Sequence, residues 1–348
     1  MFLFTTAELC LWSLSHFLTF SLSFSLFVCE NAEFLHRFFH VVTMMTVDSS
    51  LPMVAVLASS LLKVHSKYPL VILVTEEVSP SSRDVLVSLN CILKSISLLS
   101  LPPSVQPAQF RWNAAFSKLL IWKLTEYNRV VWMDGDTMVL SDLDHLFEME
   151  GSLIASTDLH SCHVSADKMC SSLLVVEPRD DVYASLHRFL FESGFTFANG
   201  DQEMIEEYFA MKAEVTRLDE KWSSFVYRCT CDDFPSVKNV SHQDRPMPHR
   251  HNHAFTPRFV HFTYYFLPIG SKGTFAENSE CILPYYRQWF QIHRTLCASR
   301  GMKSYLKNSS VLCPPDSGIA SHLSHLFPSV NPRMIMDYSR SHPMRSDG

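Results

Sequence analysis

The sequence predicts an α/β layered fold built on a mainly parallel sheet. Short β-branched runs alternate with apolar segments at helical spacing, the pattern of strands and helices stacked in layers. The 348 residues are 47% apolar and 12% aromatic, a globular composition with room for one large domain or two modest ones. A third observation locates the function. In "NRVVWMDGDTMVLSDLDHLF", residues 128–147, an apolar strand runs straight into Asp134-Gly-Asp136. Ligands in α/β folds sit beyond the carboxyl ends of strands.

Taken in order, residues 9–28 ("LCLWSLSHFLTFSLSFSLFV") carry no charge. Their length matches the about 20 residues of a membrane helix. Six Ser/Thr and His16 weaken the span, and no Lys or Arg precedes it as in a signal peptide. Residues 1–30 are read as a signal peptide or membrane anchor. Two glycosylation acceptors, Asn239-Val-Ser241 and Asn308-Ser-Ser310, fit a lumenal chain. The expected location is the secretory pathway, at a Golgi or ER membrane, with the cytoplasm as the alternative. Residues 40–48 read as a strand, 51–65 as an apolar helix entered through Pro52, and 69–78 as a buried parallel strand. A helix follows Ser79-Pro80 over 81–90, and another spans 114–127. The strand Val130 to Met133 comes next and ends at the two carboxylates. After about residue 275 the text turns rich in Ser, His and Pro, which predicts a partly disordered tail.

Several function classes are excluded. The net charge of -6 and the absence of a Lys/Arg run give no footprint for nucleic acid. With nine Gly there is no GxGxxG or Walker loop, so any nucleotide is held another way. The ten Cys form no spacing framework, and Cys229-Thr-Cys231 lacks the two-residue gap of a zinc knuckle. "HQDRPMPHRHNH" (242–253) matches no zinc spacing and reads as a loop facing an acceptor.

An ionised carboxylate pair at the end of a buried strand needs a positive partner or solvent. In extended backbone, residues i and i+2 point the same way, so Asp134 and Asp136 can converge on one cation. Gly135 lets the backbone approach a ligand. Hard oxygen ligands favour Mg²⁺ or Mn²⁺. A calcium loop would need Gly at its sixth position and Glu at its twelfth, whereas Gly135 stands second and His145 twelfth. A DxDx[TV] phosphatase would need Thr or Val where Met138 stands. A solvated strand end is the bland alternative.

The longer block decides among these. "AFSKLLIWKLTEYNRVVWMDGDTMVLSDLDHLF" resembles the core of glycosyltransferase family 8, the glycogenin-like nucleotide-diphospho-sugar transferases. It shares the F-[TS]-K-L helix, a Tyr before a basic strand start, D-x-D-T-x-V, and the D-x-L-F helix. "LLVVEP" (173–178), "NGDQEMIEEYF" (199–209) and "FVHF" (259–262) follow in family order. The resemblance covers roughly 40–270. It implies a single-domain, Rossmann-like GT-A fold with a mainly parallel mixed sheet, and a catalytic domain over 38–275 followed by an extension over 276–348. The implied activity is retaining hexosyl transfer, glucose or galactose first, from a UDP-sugar to a carbohydrate, glycoprotein or glycolipid acceptor.

By the same resemblance, Asp134, Asp136 and His261 ligate Mn²⁺ (or Mg²⁺). Lys118 reaches the donor, and Arg111 lies near the family's donor-binding Arg. Asp158 binds sugar hydroxyls, while Asp201 and Gln202 flank the anomeric carbon. Thr43 and Thr46 lie near the uracil, and Gly135 completes the nucleotide site. The chain departs from the family in three places. The first loop has Val47, Asp48 and Ser50 in place of Asn-Asp and a Tyr. Asn-Ser-Gly becomes Cys170-Ser171-Ser172. The closing segment reads "HFTYYFLPIG", with Tyr264 for Gly, Leu267 (or Pro268) for the phosphate-binding Lys, and Ile269 beyond; Lys272 substitutes only if the loop is rebuilt. These departures motivate an alternative, a degenerate member that binds metal, nucleotide or a partner without turnover. A DxD phosphatase is the minor alternative.

Overall fold

The computed structural model describes residues 39–157, 169–212, 214–218, 222, 257–262 and 283–298. The first strand, β1 (Phe39–Met45), leads through α1 (Leu51–Lys63) to β2 (Leu70–Val74), and α2 (Pro80–Ser88) leads to β3 (Ile92–Ser95). A long 3₁₀ run, Phe110–Lys123, precedes β4 (Arg129–Met133), the short β5 (Thr137–Val139), β6 (Leu153–Thr157) and β7 (Met169–Val176). Then come α3 (Asp180–Glu192), α4 (Asp201–Ala210), β8 (Val215–Arg217), β9 (Phe259–His261) and α5 (Leu283–Ala298).

Among the described residues, seven strands form one sheet in the order β3-β2-β1-β4-β7-β6-β8, while β5 and β9 pair separately. β1 runs parallel to both β2 and β4, and β2 is parallel to β3. β7 is antiparallel to β4 and β6, and β6 is parallel to β8. The sheet is therefore mainly parallel and mixed, as expected. Every residue of β2 and β4 is buried, which explains the unbroken apolar text of β2 and of β4 after Arg129, whose guanidinium pairs with Glu177. Side chains alternate across β4: Val131 and Met133 enter one core with Val54, Leu57 and Trp289. Val130 and Trp132 enter the other with Phe116, Trp122 and Phe209.

This topology positions a site. The strand order reverses between β1 and β4, and such a switch point opens a crevice at the carboxyl ends of the strands. Because β7 is antiparallel, its first residues lie at that same end. The amide of Asp134 donates to the Ser172 carbonyl at 2.9 Å.

Several boundaries differ from the expected ones. The first strand stops at Met45, because residues 48–50 form a 3₁₀ turn leading into α1. The second covers 70–74, not 69–78. The segment expected as a helix over 114–127 is a 3₁₀ run that begins at Phe110 and ends at Lys123, where Tyr127 turns back onto the Leu124 carbonyl at 2.9 Å. Helix α5 lies beyond the expected domain limit at 275, and its Tyr286 and Trp289 are fully buried in the core with Phe262. Among the described residues no helix is long and apolar enough to cross a membrane; residues 9–28 lie outside them.

Candidate active site

The two carboxylates sit on a tight turn. The Asp134 carbonyl accepts from the Thr137 amide at 3.1 Å and from the Thr137 hydroxyl at 2.7 Å. This turn, rather than the alternation of an extended strand, aims both side chains at one point. Gly135 serves the protein side of it. A Cβ there would meet Val54 Cγ2 at 3.0 Å and Thr43 Oγ1 at 3.6 Å, so the glycine lets the turn lie against α1.

The β5–β9 ladder brings the third ligand. Thr137 pairs with His261, and the Phe262 amide donates to the Asp136 carbonyl at 2.8 Å. His261 Nε2 then lies 3.2 Å from Asp136 Oδ1 and 3.8 Å from Asp134 Oδ2. One ligand atom from each residue lies within 4.8 Å of the others. Burial would depress the imidazole, but Asp136, a hydrogen bond with Cys170 and then Asp134 hold it well above its ordinary value. Two carboxylate oxygens and one imidazole suit Mn²⁺, and both aspartates keep about a quarter of their side-chain surface open. The donor set fits a divalent cation.

Beside the cluster lies a buried lysine. Lys118 Nζ is 2.6 Å from Asp201 Oδ2 and 3.0 Å from Asp134 Oδ1. It also donates to the Ser171 hydroxyl at 2.8 Å and the Ser171 carbonyl at 3.0 Å. Burial pulls its pKa down, yet Asp134 and Asp201 more than offset this and keep the ammonium charged. Trp132 Nε1 donates to the same Asp134 oxygen at 2.8 Å. Ser171 ties the opposite wall together: its hydroxyl lies 3.0 Å from Asp201 Oδ2, and its amide donates to Gln202 Oε1 at 3.2 Å. Asp201 opens α4 after Gly200, whose φ of 81° packs it on the Trp112 side chain. A carboxylate is favoured at that helix N-terminus.

A family profile described as Glycosyl transferase family 8 matches residues 25–227, more than half of the chain. The chain belongs to glycosyl transferase family 8. Galactinol synthase 1 of Solanum lycopersicum is 33% identical over 144 residues, covering 39% of this chain and 44% of that protein. Inositol phosphorylceramide glucuronosyltransferase 1 of Arabidopsis thaliana is 30% identical over 168 residues, covering 48% of this chain and 29% of that protein. The chain thus spans less than half the length of these curated relatives. The apo form of the glycosyltransferase GlyE of Streptococcus pneumoniae has a TM-score of 0.50 at 17% identity, covering 73% of this chain and 62% of that one. That likeness is one of fold, and the architecture is the GT-A type.

Within this family 8 chain, the structure brings together Asp134, Asp136, His261, Lys118, Asp201 and Gln202. His261 lies beyond the matched segment, so its approach to the carboxylates is a separate observation. Thr43 is fully buried beneath Gly135, and Thr46 is half-buried past the end of β1, where its carbonyl accepts from the Thr75 hydroxyl at 2.9 Å. Asp158, the side chain of Arg111 and the closing segment with Tyr264, Leu267, Pro268, Ile269 and Lys272 lie outside the described residues, as does 242–253. Sequence reasoning passed over Trp132 and treated Ser171 only as part of a departure. Both carry polar atoms on strands that are buried throughout, Trp132 on β4 and Ser171 on β7. The departing Asp48 has a structural use: its Oδ1 accepts from the Ser79 amide at 3.0 Å and the Ser82 hydroxyl at 2.7 Å.

Proposed function

We propose that this family 8 member transfers a hexosyl group, galactose or glucose first, from a UDP-sugar to a carbohydrate, glycoprotein or glycolipid acceptor, with retention and with Mn²⁺ or Mg²⁺. The single observation that carries this reading is the convergence of Asp134, Asp136 and His261 at the switch point. These three would hold the cation, which when bound supplies a Lewis acid for the charge of the departing diphosphate. Asp201, fixed in place by Lys118 and the Ser171 hydroxyl, presents its carboxylate where an oxocarbenium-like centre develops. Gln202, fixed by the Ser171 amide, orients the sugar beside it. The family 8 relatives carry the names galactinol synthase and glucuronosyltransferase, which support sugar transfer and put a galactosyl donor among the first to be tried.

The test is metal-dependent hydrolysis across a panel of UDP-sugars. Asp134→Asn and Asp136→Asn each remove a charged ligand from a hard cation and are expected to abolish it while thermal unfolding stays cooperative. Unchanged metal-dependent turnover in both variants would refute the assignment. Stabilisation by UDP without turnover of any donor would instead favour the binding-only reading.

A further inference from the structure

The geometry points to Lys118 as a positioning residue that tunes the cation affinity of Asp134 and ties that carboxylate to Asp201. This inference rests on the reading of Asp134, Asp136 and His261 as a metal site. An ammonium has three N–H donors. Here four oxygens lie within reach: Asp201 Oδ2 at 2.6 Å, the Ser171 hydroxyl at 2.8 Å, and Asp134 Oδ1 and the Ser171 carbonyl at 3.0 Å each. The side chain is 4% exposed, and Nζ also lies 5.5 Å from the Trp132 ring centroid.

The consequence falls on Asp134. Its Oδ1 is held by Lys118 and by Trp132 Nε1, which leaves Oδ2 to face His261. The carboxylate is presented through one oxygen, with a fixed positive charge on the other. That charge competes with any divalent cation. The free protein therefore binds metal weakly, and a diphosphate supplies the negative charge that completes the site. The same ammonium fixes Asp201, so removing it releases both walls at once.

The experiment is a Mn²⁺ titration of the full chain without nucleotide, read as free Mn²⁺ by electron paramagnetic resonance, with thermal unfolding recorded for every variant. Lys118→Met is expected to bind Mn²⁺ about tenfold tighter or more, since a unit charge beside the ligand is gone. Lys118→Arg, which keeps the charge, stays near wild type. Trp132→Phe removes one N–H from the same oxygen, leaves Lys118 in place, and is expected to tighten binding about threefold. It carries the test if Lys118→Met does not fold. Unchanged or weaker Mn²⁺ binding in Lys118→Met, or in Trp132→Phe where Lys118→Met does not fold, overturns the proposal, as does a loss of UDP affinity in Lys118→Met with metal affinity unmoved. A wild type that takes up no Mn²⁺ either alone or with UDP overturns the metal-site reading itself, a result distinct from the other two.

Discussion

Gly135 is held by sterics on its protein side: a Cβ would come within 3.0 Å of Val54 Cγ2, and Val54 is itself buried under the sheet. Gly135→Ala is therefore expected to destabilise the fold by about 1 kcal/mol, the low end of overpacking costs, and to weaken Mn²⁺ binding by displacing the turn. Combining it with Val54→Ala makes space, so a double-mutant cycle in urea should return a coupling of about 1 kcal/mol. Strict additivity would place the strain elsewhere. The ligands at this scale were legible for a physical reason. Charged residues at the end of a fully buried strand announce themselves, and His261 stands in a short motif of its own. What the sequence hid was the second partner of each group. Nothing local to Ser171 or Trp132 reveals that a lysine on a distant 3₁₀ run will share their acceptors. Gly135 shows the same limit, since its pattern told that a close approach occurs but not which side makes it.

At the scale of elements, the crevice depends on the connection from β1 to α1 staying clamped to α2. Asp48 is the clamp, accepting from Ser79 and Ser82 at the first turn of α2. Burial would raise its pKa, but the Ser82 hydroxyl, then the Ser79 amide and hydroxyl, hold it below the usual carboxylate range. A carboxyl whose folded pKa is depressed adds stability above its unfolded pKa and loses it as pH falls through the folded value. Asp48→Ala is thus expected to cost about 1–2 kcal/mol at neutral pH. The gap between wild type and variant should close in acid, below the usual carboxylate range. Urea unfolding of both proteins at the two pH values checks this; a gap that persists in acid would mean the clamp is not electrostatic. Strands buried on both faces, such as β2 and β4, were easy to read because their text is continuous. β3 was not, because an edge strand with Ile92 and Ser95 exposed and Leu93 and Lys94 half-buried carries no alternating signal. Helix α5 was lost in a polar tail, although Tyr286, Trp289 and Phe290 recur at helical spacing and fill the core.

For the whole molecule, the catalytic layer and the compartment are separate questions with separate signals. We propose that the chain works in the secretory lumen, anchored through residues 9–28. The support is chemical: an uncharged span long enough for a membrane helix and sequons at Asn239 and Asn308. Cys91 is buried with its thiol pushed up to about 12, so it stays an inert core residue in either compartment. Expressed in a eukaryotic cell, the full chain is expected to pellet with membranes and to shift in mobility on endoglycosidase treatment. Replacing both acceptors, Asn239→Gln and Asn308→Gln, should abolish the shift while membrane pelleting remains, because the span and the glycans report independently. A soluble cytosolic pool with both asparagines unmodified would place the active site on the other side of the membrane, where its donor and acceptors would have to be sought instead.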